Sequence, residues 1–528
     1  MKKVISIILA LSLILTAAIG LTGCGNDEAS GKMTVYGGIN STKTETNYDE
    51  IHEEFHKIWE SYNPDVEIEW IEGDIQMIMA SGDYPDIIMK AVFQNQDVAK
   101  YAAQGVLLPM DEYITEENTP NIWRMFQEQP STKAIATSPD GHIYSLPSYS
   151  GNKSSFVETY YIINKVWLDK LGLEVPKTLD ELYEVLKAFK TQDPNGNGKA
   201  DEIPFLFGNE MAYCYPETLL SAWGVSTKFG MYDGWLNVIN GNVRFTPVLD
   251  EWREMCKFYN KLWDEGLLDV ESFTQESSQF NAKIKSATPV VGVTINYRLD
   301  VMEPNQDEYI VVEPFSADGK ITPILHIHPG SIGTRNSAHI TSNCEDPAAA
   351  LRFIDGFYDK NQTIMNWYGG VGEDKTFHME GDMYAWNEPA EGKAETDLYA
   401  FNTIWGPHML GYIDSAVDYN TLIEVAPFMA QSDENFKIVE KYIDKETWPR
   451  PFYTTEDSSR VNELLTDITT YVEQMKANFI TGKTDVNDDA EWNKYISQLK
   501  KLGADEYREI NQRAYDIHQG VLDELSGK

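Results

Sequence analysis

Ile75-Gln-Met-Ile-Met-Ala80-Ser-Gly-Asp-Tyr-Pro85-Asp-Ile-Ile-Met89 decides the fold class of this chain. Ile75 to Ala80 reads as a short helix, and Ser81 to Pro85 are turn formers. Ile87-Ile-Met89 is an apolar run of the kind found in a buried strand. Upstream, Met33-Thr-Val-Tyr-Gly37 reads as a first strand. Asp49 to Tyr62 reads as a helix with Ile51, Phe55, Ile58 and Trp59 on one face, and Val66-Glu-Ile-Glu-Trp70 alternates like a half-buried strand. Alternation of helix and strand predicts an α/β lobe with a mainly parallel sheet.

Further along, Gly105 to Glu112 is a turn, Asp140 to Pro147 reads as a hairpin with a proline stop, and Tyr160 to Asn164 reads as a strand. Thr178 and Glu181 form a capping box at the start of a helix. From Arg460 on the chain reads as long amphipathic helices, with Leu464, Ile468, Tyr471, Val472 and Met475 at helical spacing. Trp59, Trp167, Trp252, Trp263 and Trp492 share that spacing and are assigned to the core, as is Trp223.

The 528 residues carry 83 acidic and 43 basic side chains, a net charge of −40. Such a surface repels nucleic acid and anionic lipid. Lys2 and Lys3 precede an uncharged, Ile/Leu/Ala-rich run to Gly23, the layout of a secretory signal peptide; about 20 such residues would also span a bilayer. Leu21-Thr-Gly-Cys24 resembles the bacterial lipobox. Residues 1–23 are therefore expected to be removed and Cys24 to carry lipid, with 24–32 as a flexible tether. Cys214, Cys256 and Cys344 remain, an odd number that predicts no disulfide framework. The remaining length is too great for one core and suits two lobes.

Four stretches carry a family resemblance. They are Ser81-Gly-Asp-Tyr-Pro-Asp-Ile87, Asp140-Gly-His-Ile-Tyr-Ser-Leu-Pro147, Leu262-Trp-Asp-Glu-Gly-Leu-Leu-Asp269, and Phe479-Ile-Thr-Gly482 with Asp489 to Gly503. In this order they resemble the extracellular solute-binding proteins of family 1, closest to the long branch with alginate-oligosaccharide-binding proteins. The resemblance implies an α/β, two-lobe periplasmic-binding-protein-like fold with a hinge of several crossings, near residues 150, 316 and 370, and a helical C-terminal region. One lobe would comprise 33–150 and 317–369, the other 151–316 and 370–528. It implies a monomer, not an enzyme, that captures a neutral oligosaccharide and hands it to an ABC permease in the membrane.

Asp193-Pro-Asn195-Gly-Asn197-Gly198-Lys199-Ala-Asp201-Glu202 places oxygen side chains at the first, third, fifth and ninth positions and Gly at the sixth. This is the spacing of an EF-hand-type Ca²⁺ loop, in which the seventh residue contributes its carbonyl. The departure is Pro204 at the twelfth place, where Glu202 can substitute from the tenth. In the alginate-binding relatives the resemblance implies a structural calcium here, held by Asp193, Asn195, Asn197, Asp201, Glu202 and the Lys199 carbonyl. The bland alternative is a turn with no ion.

Sugars are met by aromatic platforms and short polar groups. Candidate contacts are Tyr36 and Asn40 after the first strand, Tyr149 at the expected hinge, and Tyr213 and Tyr215 after the calcium segment. Asn296, Tyr297 and Arg298 end the apolar strand Val290 to Ile295, and Trp386 and Trp405 lie in a Gly/Asn-rich stretch. Each has a core reading as its alternative. His326-Ile-His328 alternates like a metal pair but lacks a third ligand, and no nucleophile elbow, P-loop or HExxH appears. A lipid-anchored glycan receptor not coupled to transport, and a glycan-active enzyme, remain the competing readings.

Overall fold

The computed structural model describes residues 32–37, 60, 67–89, 93–151, 157, 159–209, 214–226, 234–326, 335–360, 362–363, 377–381, 383–387, 411–413 and 427–527. Two four-stranded sheets anchor two separate cores. The first sheet runs, in spatial order, Ala338–Ile340, Ile87–Met89, Lys32–Tyr36, Glu67–Ile71. Its three N-terminal strands are parallel and Ala338–Ile340 is antiparallel. Val35, Ile87, Met89 and Ile340 are buried in its core with Ile122, Met125, Phe353 and Tyr358.

The turn at residues 81–86 is held by its own side chains. Gly82 takes φ +82° to end the helix Ile75–Ser81, and the Ser81 hydroxyl accepts from the Asp83 amide (3.1 Å). Asp86 accepts from both the amide and the hydroxyl of Thr34 (2.7 Å each), and its own amide donates back to Thr34 Oγ1 (2.9 Å). The motif thus locks the start of one strand onto its neighbour.

The second sheet runs Tyr309–Val312, Tyr160–Asn164, Val291–Asn296, Ile203–Leu206. Here the expectation of a mainly parallel sheet is corrected: only the last pair is parallel, and the other two are antiparallel. Val291–Asn296 and Tyr309–Val312 flank Tyr160–Asn164 and both run opposite to it. The C-terminal helices Thr455–Ile480, Asp489–Lys501 and Ala504–Leu525 join this lobe, where Ile468, Val472 and Phe479 share a core with Trp252, Tyr259 and Val293. Trp167, Trp252 and Trp492 are core, Trp223 and Trp263 pack at its edge, and the Thr178–Glu181 capping box is formed. Asp140 to Pro147 makes a tight turn closed by Gly141 on Ser138 (2.9 Å). A single antiparallel bridge, Thr137 with Ile143, flanks the turn as a minimal hairpin, and Leu146 bridges onward to Ala338.

The chain passes between the cores at several places. Tyr149 belongs to the first core and Val157 to the second; Leu325 is in the second and Ala338 in the first; Tyr412 is in the first and Val439 in the second. The second and third passages therefore lie after Leu325 and after Tyr412, beyond residues 316 and 370. Tyr412–Ile413 pairs in parallel with Tyr149–Ser150, bringing two passages side by side. Phe452 returns to a small satellite core with Tyr36, Ile88 and Phe93. The helix Ala504–Leu525 packs against Pro130–Ala136 of the first lobe.

Cys214, Cys256 and Cys344 are all buried thiols without a disulfide. Burial pushes Cys214 and Cys344 up to about 12. Among the described residues no helix is long and apolar enough to cross a membrane.

Asp355 supplies a stability test. It is 4% exposed and accepts from the amides of Asn121 (3.1 Å) and Ile122 (2.8 Å) at the start of the helix Pro120–Glu128. Burial nevertheless raises its pKa from 3.8 to about 6. The folded state then binds more protons than the unfolded state between these values, so this group's contribution falls as pH rises from about 4 to 6, by up to ~3 kcal/mol. Asp355→Asn removes that slope. The melting temperature of the variant minus that of the parent should increase from pH 4 to pH 7 in calorimetry; a constant difference contradicts the assignment.

Candidate functional site

All four strands of the second sheet present chain ends to one edge. Ile203–Leu206 and Val291–Asn296 finish there, Tyr160 opposes Asn296 at the start of its strand, and Val312 opposes Tyr161. At this edge lies a recess of about 10 Å³, the room of one water molecule. It is lined by Thr159, Tyr215, Thr218, Ser221, Val225, Ser226, Ile324, Leu325 and His326. Thr159 follows the first passage between the lobes and His326 begins the second, so the recess sits at the foot of the space between them.

The lining has a consistent chemistry. Five hydroxyls and an imidazole converge, and none of the nine side chains is a carboxylate, lysine or arginine. Tyr161 braces the wall from inside: its hydroxyl donates to the Thr218 carbonyl and meets Ser221 Oγ, both at 2.9 Å. Thr218 Oγ1 reaches Thr159 Oγ1 at 3.5 Å. Asp444 stands behind Ser226, bonded to its hydroxyl. Short hydroxyl side chains and one aromatic ring suit a neutral, hydroxylated ligand.

Beside the recess, Asn296 is buried and its Oδ1 accepts from the Tyr297 amide (2.9 Å). Tyr297 is 37% exposed, one of few large apolar side chains so presented. Arg298 lies 5.5 Å from the Tyr297 ring centroid and turns its Nε to Asp300 (2.9 Å), which neutralises it. The structure thus brings Tyr215 and the Asn296–Arg298 run to one edge. Tyr36 and Tyr149 are placed elsewhere, in the first lobe. Tyr36 is 7% exposed, with its hydroxyl at 3.4 Å from the Gly73 carbonyl, and Tyr149 packs 5.8 Å from the ring of Tyr412. Trp386 ends a strand, Met383–Trp386, that pairs with Phe377–Glu380. Asn40, Trp405, Tyr213, His328, Cys24 and most of Asp49 to Tyr62 lie outside the described residues.

Sequence reasoning missed most of the recess. Thr218 and Ser221 sit in the 3-10 helix Pro216–Trp223, where only Trp223 stands out in the sequence, and His326 stands out only as half of a metal pair. Residues 216–222 are all buried, so the two hydroxyls that line the recess, three apart in a 3-10 helix, carry no amphipathic signal of the kind a strand or α-helix gives.

The loop from Asp193 to Glu202 lies on the same lobe. Asp193, Gly196 and Gly198 all take positive φ, at 46°, 72° and 73°. Asp193 Oδ2 accepts from the backbone amide of Gly198 (3.0 Å), and the side-chain Nδ2 groups of Asn195 and Asn197 each donate to Asp201 Oδ1 (3.0 Å). These donors hold the Asp201 carboxyl below the usual range. Glu202 is shifted the other way, raised by burial and by the neighbouring Asp193 and Asp201 charges, and its Oε1 is buried without a hydrogen-bond partner. Among the described residues no three His, Cys, Asp or Glu side chains form a metal-holding group by themselves. The loop's donor set is mixed: three carboxylates, two side-chain amides and a carbonyl. An orphaned carboxylate oxygen beside two further carboxylates fits a hard divalent cation.

Comparison with known proteins agrees with this architecture. Residues 41–360 match the family described as bacterial extracellular solute-binding protein. A fructooligosaccharide ABC transporter substrate-binding protein, FusA of Streptococcus pneumoniae serotype 4, is 32% identical over 84% of this chain and 81% of its own length. A polygalacturonan/rhamnogalacturonan-binding protein of Bacillus subtilis, YtcQ, is 26% identical over 73% of this chain and 79% of its own length. Among solved structures, an HMO-binding, ABC-transporter-associated solute-binding protein from Bifidobacterium longum infantis superposes with TM-score 0.77 and 27% identity. The match covers 93% of this chain and 99% of that one. An EF-hand mutant of FusA bound to fructo-nystose superposes with TM-score 0.75 at 27% identity, over 93% of this chain and 99% of that one. The alginate-binding protein AlgQ2, at 20% identity and TM-score 0.66 over 93% and 98%, shares the two-lobe fold. With two sheets, two cores and repeated passages between them, this chain belongs to the bacterial extracellular solute-binding protein family.

Proposed function

We propose that this chain is the substrate-binding subunit of an ABC importer, held outside the membrane by lipid on Cys24, and that its cargo is a neutral oligosaccharide. The observation that carries the sugar reading is the uncharged, hydroxyl-lined recess at the foot of the interlobe space. Binding proteins of oligosaccharides among its relatives support it, FusA foremost. An acidic cargo, of the kind the name of YtcQ states, would ask for a cation in the lining, and none of the nine side chains is a lysine or arginine.

In this reading Tyr297 offers its face to a sugar ring while Tyr215, Thr218, Ser221 and His326 read hydroxyls at its end. The first lobe closes over the sugar, the passages after Tyr149, Leu325 and Tyr412 serving as the hinge, and the closed monomer docks on the permease. The cargo leaves chemically unchanged. Calcium is structural: Asp193, Asn195, Asn197, Asp201, Glu202 and the Lys199 carbonyl would hold it, neutralising carboxylates whose mutual repulsion otherwise strains the loop.

Thermal-shift measurements with kestose, maltotriose and oligogalacturonides test the cargo. A neutral sugar should raise the melting temperature and be recovered intact, and the acidic oligomers should not. Tyr297→Ala should weaken binding by about tenfold, the worth of one stacking contact. No shift with any sugar, or release of shorter sugars, contradicts the proposal.

Chelation tests the ion. EDTA should lower the melting temperature of the parent, and Asp193→Ala should remove that sensitivity. Because the Glu202 pKa is raised, protons compete with the metal, so the stabilisation by calcium should be larger at pH 7.5 than at pH 5. Equal stability with and without EDTA at both pH values leaves the loop as a turn.

A further inference from the structure

Lys476 is a buried charge that the binding reading does not use. It sits near the end of the long helix Thr455–Ile480 with its side chain fully inaccessible. Its ammonium contacts Glu217 Oε1 at 2.5 Å and Glu473 Oε1 at 2.9 Å. Glu217 is itself 1% exposed, and its Oε1 also accepts from the indole of Trp235 (3.3 Å). The second oxygen of Glu473 accepts from Asn209 Nδ2 (3.0 Å). One lysine therefore ties two points of the second lobe's binding edge. Asn209 follows the end of the strand Ile203–Leu206, and Glu217 lies two residues after Tyr215.

The second tie acts on the recess directly. Glu217 belongs to the 3-10 helix Pro216–Trp223, whose Thr218 and Ser221 line the recess. Glu217 faces the lysine, while its neighbours present hydroxyls to the ligand space. Burying a lysine and two carboxylates costs several kcal/mol per ion before their attraction is counted, and an apolar trio of equal volume is often as stable. The cluster is also unbalanced: it holds two carboxylates for one ammonium, and Glu217 Oε2 has no hydrogen-bond partner. Stability alone does not account for it; fixed geometry does. Two charge-assisted bonds set the position of the helix along directions that apolar packing leaves free.

We propose that Lys476 is a positioning residue for sugar binding. Through Glu217 it fixes the helix that carries Tyr215, Thr218 and Ser221, and through Glu473 it fixes Asn209, so that the edge meets its ligand already ordered. The idea rests on the oligosaccharide reading for its functional consequence but not for the anchoring itself.

Two variants test it. Lys476→Met with Glu217→Gln and Glu473→Gln removes the charges together and leaves no unpaired ion; Glu473→Ala severs only the Asn209 arm and remains usable if the triple variant fails to fold. Hydrogen exchange in the absence of ligand reports the anchoring. In the triple variant the amides of residues 207–209 and 214–221 should exchange about tenfold faster or more, with the first sheet unchanged. In Glu473→Ala only the 207–209 amides should accelerate. Calorimetric titration with kestose reports the consequence, an affinity about tenfold weaker with a less favourable binding entropy, at calcium sensitivity equal to the parent's. Unchanged exchange at these amides overturns the proposal. So does accelerated exchange with parent-like kestose affinity. A parent that binds none of the sugars tried overturns the functional reading instead, and the exchange result then judges the anchoring on its own.

Discussion

Two hydrophobic cores that share no strand impose everything else on this molecule. Each sheet buries its own apolar face, Val35 and Ile87 in one lobe, Ile162 and Val293 in the other, and only a few passages of chain cross the gap. Each of the two clusters is built within one lobe, so a rotation of one lobe against the other would leave both assembled. The contacts that do cross are of a different kind. Arg335 bonds the carbonyls of Pro449 and Arg450, Asn95 reaches Arg450 (3.0 Å), and the helix Ala504–Leu525 lies on Pro130–Ala136. These tie the two lobes to each other outside their cores.

The proposed ligand space inherits its chemistry from that arrangement. Where the chain leaves a core, short hydroxyl side chains can line a space that a ligand could reach. The recess beside Tyr215 and His326 is such a place, and its wall is stiffened from behind by Tyr161 and by the buried Lys476 cluster. Polar groups turned outward for a ligand are costly when unmade, so they are useful only where the surrounding frame keeps them from collapsing onto one another. Ion pairs provide that frame with more directional control than aliphatic packing does.

Much of the fold was legible in the residues. The Ser81–Ile87 turn announced its strand because Gly82 ends the helix and Ser81 caps the turn locally, whereas the bond of Asp86 to Thr34 forms only in the folded sheet. The capping box at Thr178 and the C-terminal helices were legible for the same reason: their signals are periodic or adjacent. Strand direction in the second lobe was not, since the antiparallel pairing of Tyr160–Asn164 with both of its neighbours is decided by long-range connections that leave no trace in any one segment. The candidate site was half legible. Tyr215, after the calcium segment, and Asn296–Arg298, at a strand end, could be named, whereas Thr159, Thr218, Ser221 and His326 come together only through the folded edge. Tyr36 and Tyr149 look like binding aromatics in sequence because a tyrosine at a strand end carries no mark of which way it will face; both are buried in the first lobe.

Small-angle X-ray scattering of the calcium-loaded protein, with and without a saturating neutral oligosaccharide such as kestose, is the most direct measurement of the central claim. If two lobes trap the sugar between them, the radius of gyration falls on binding and the scattering curve shifts to that of a more compact particle. A protein that binds the sugar with its scattering curve unchanged would contradict capture by closure.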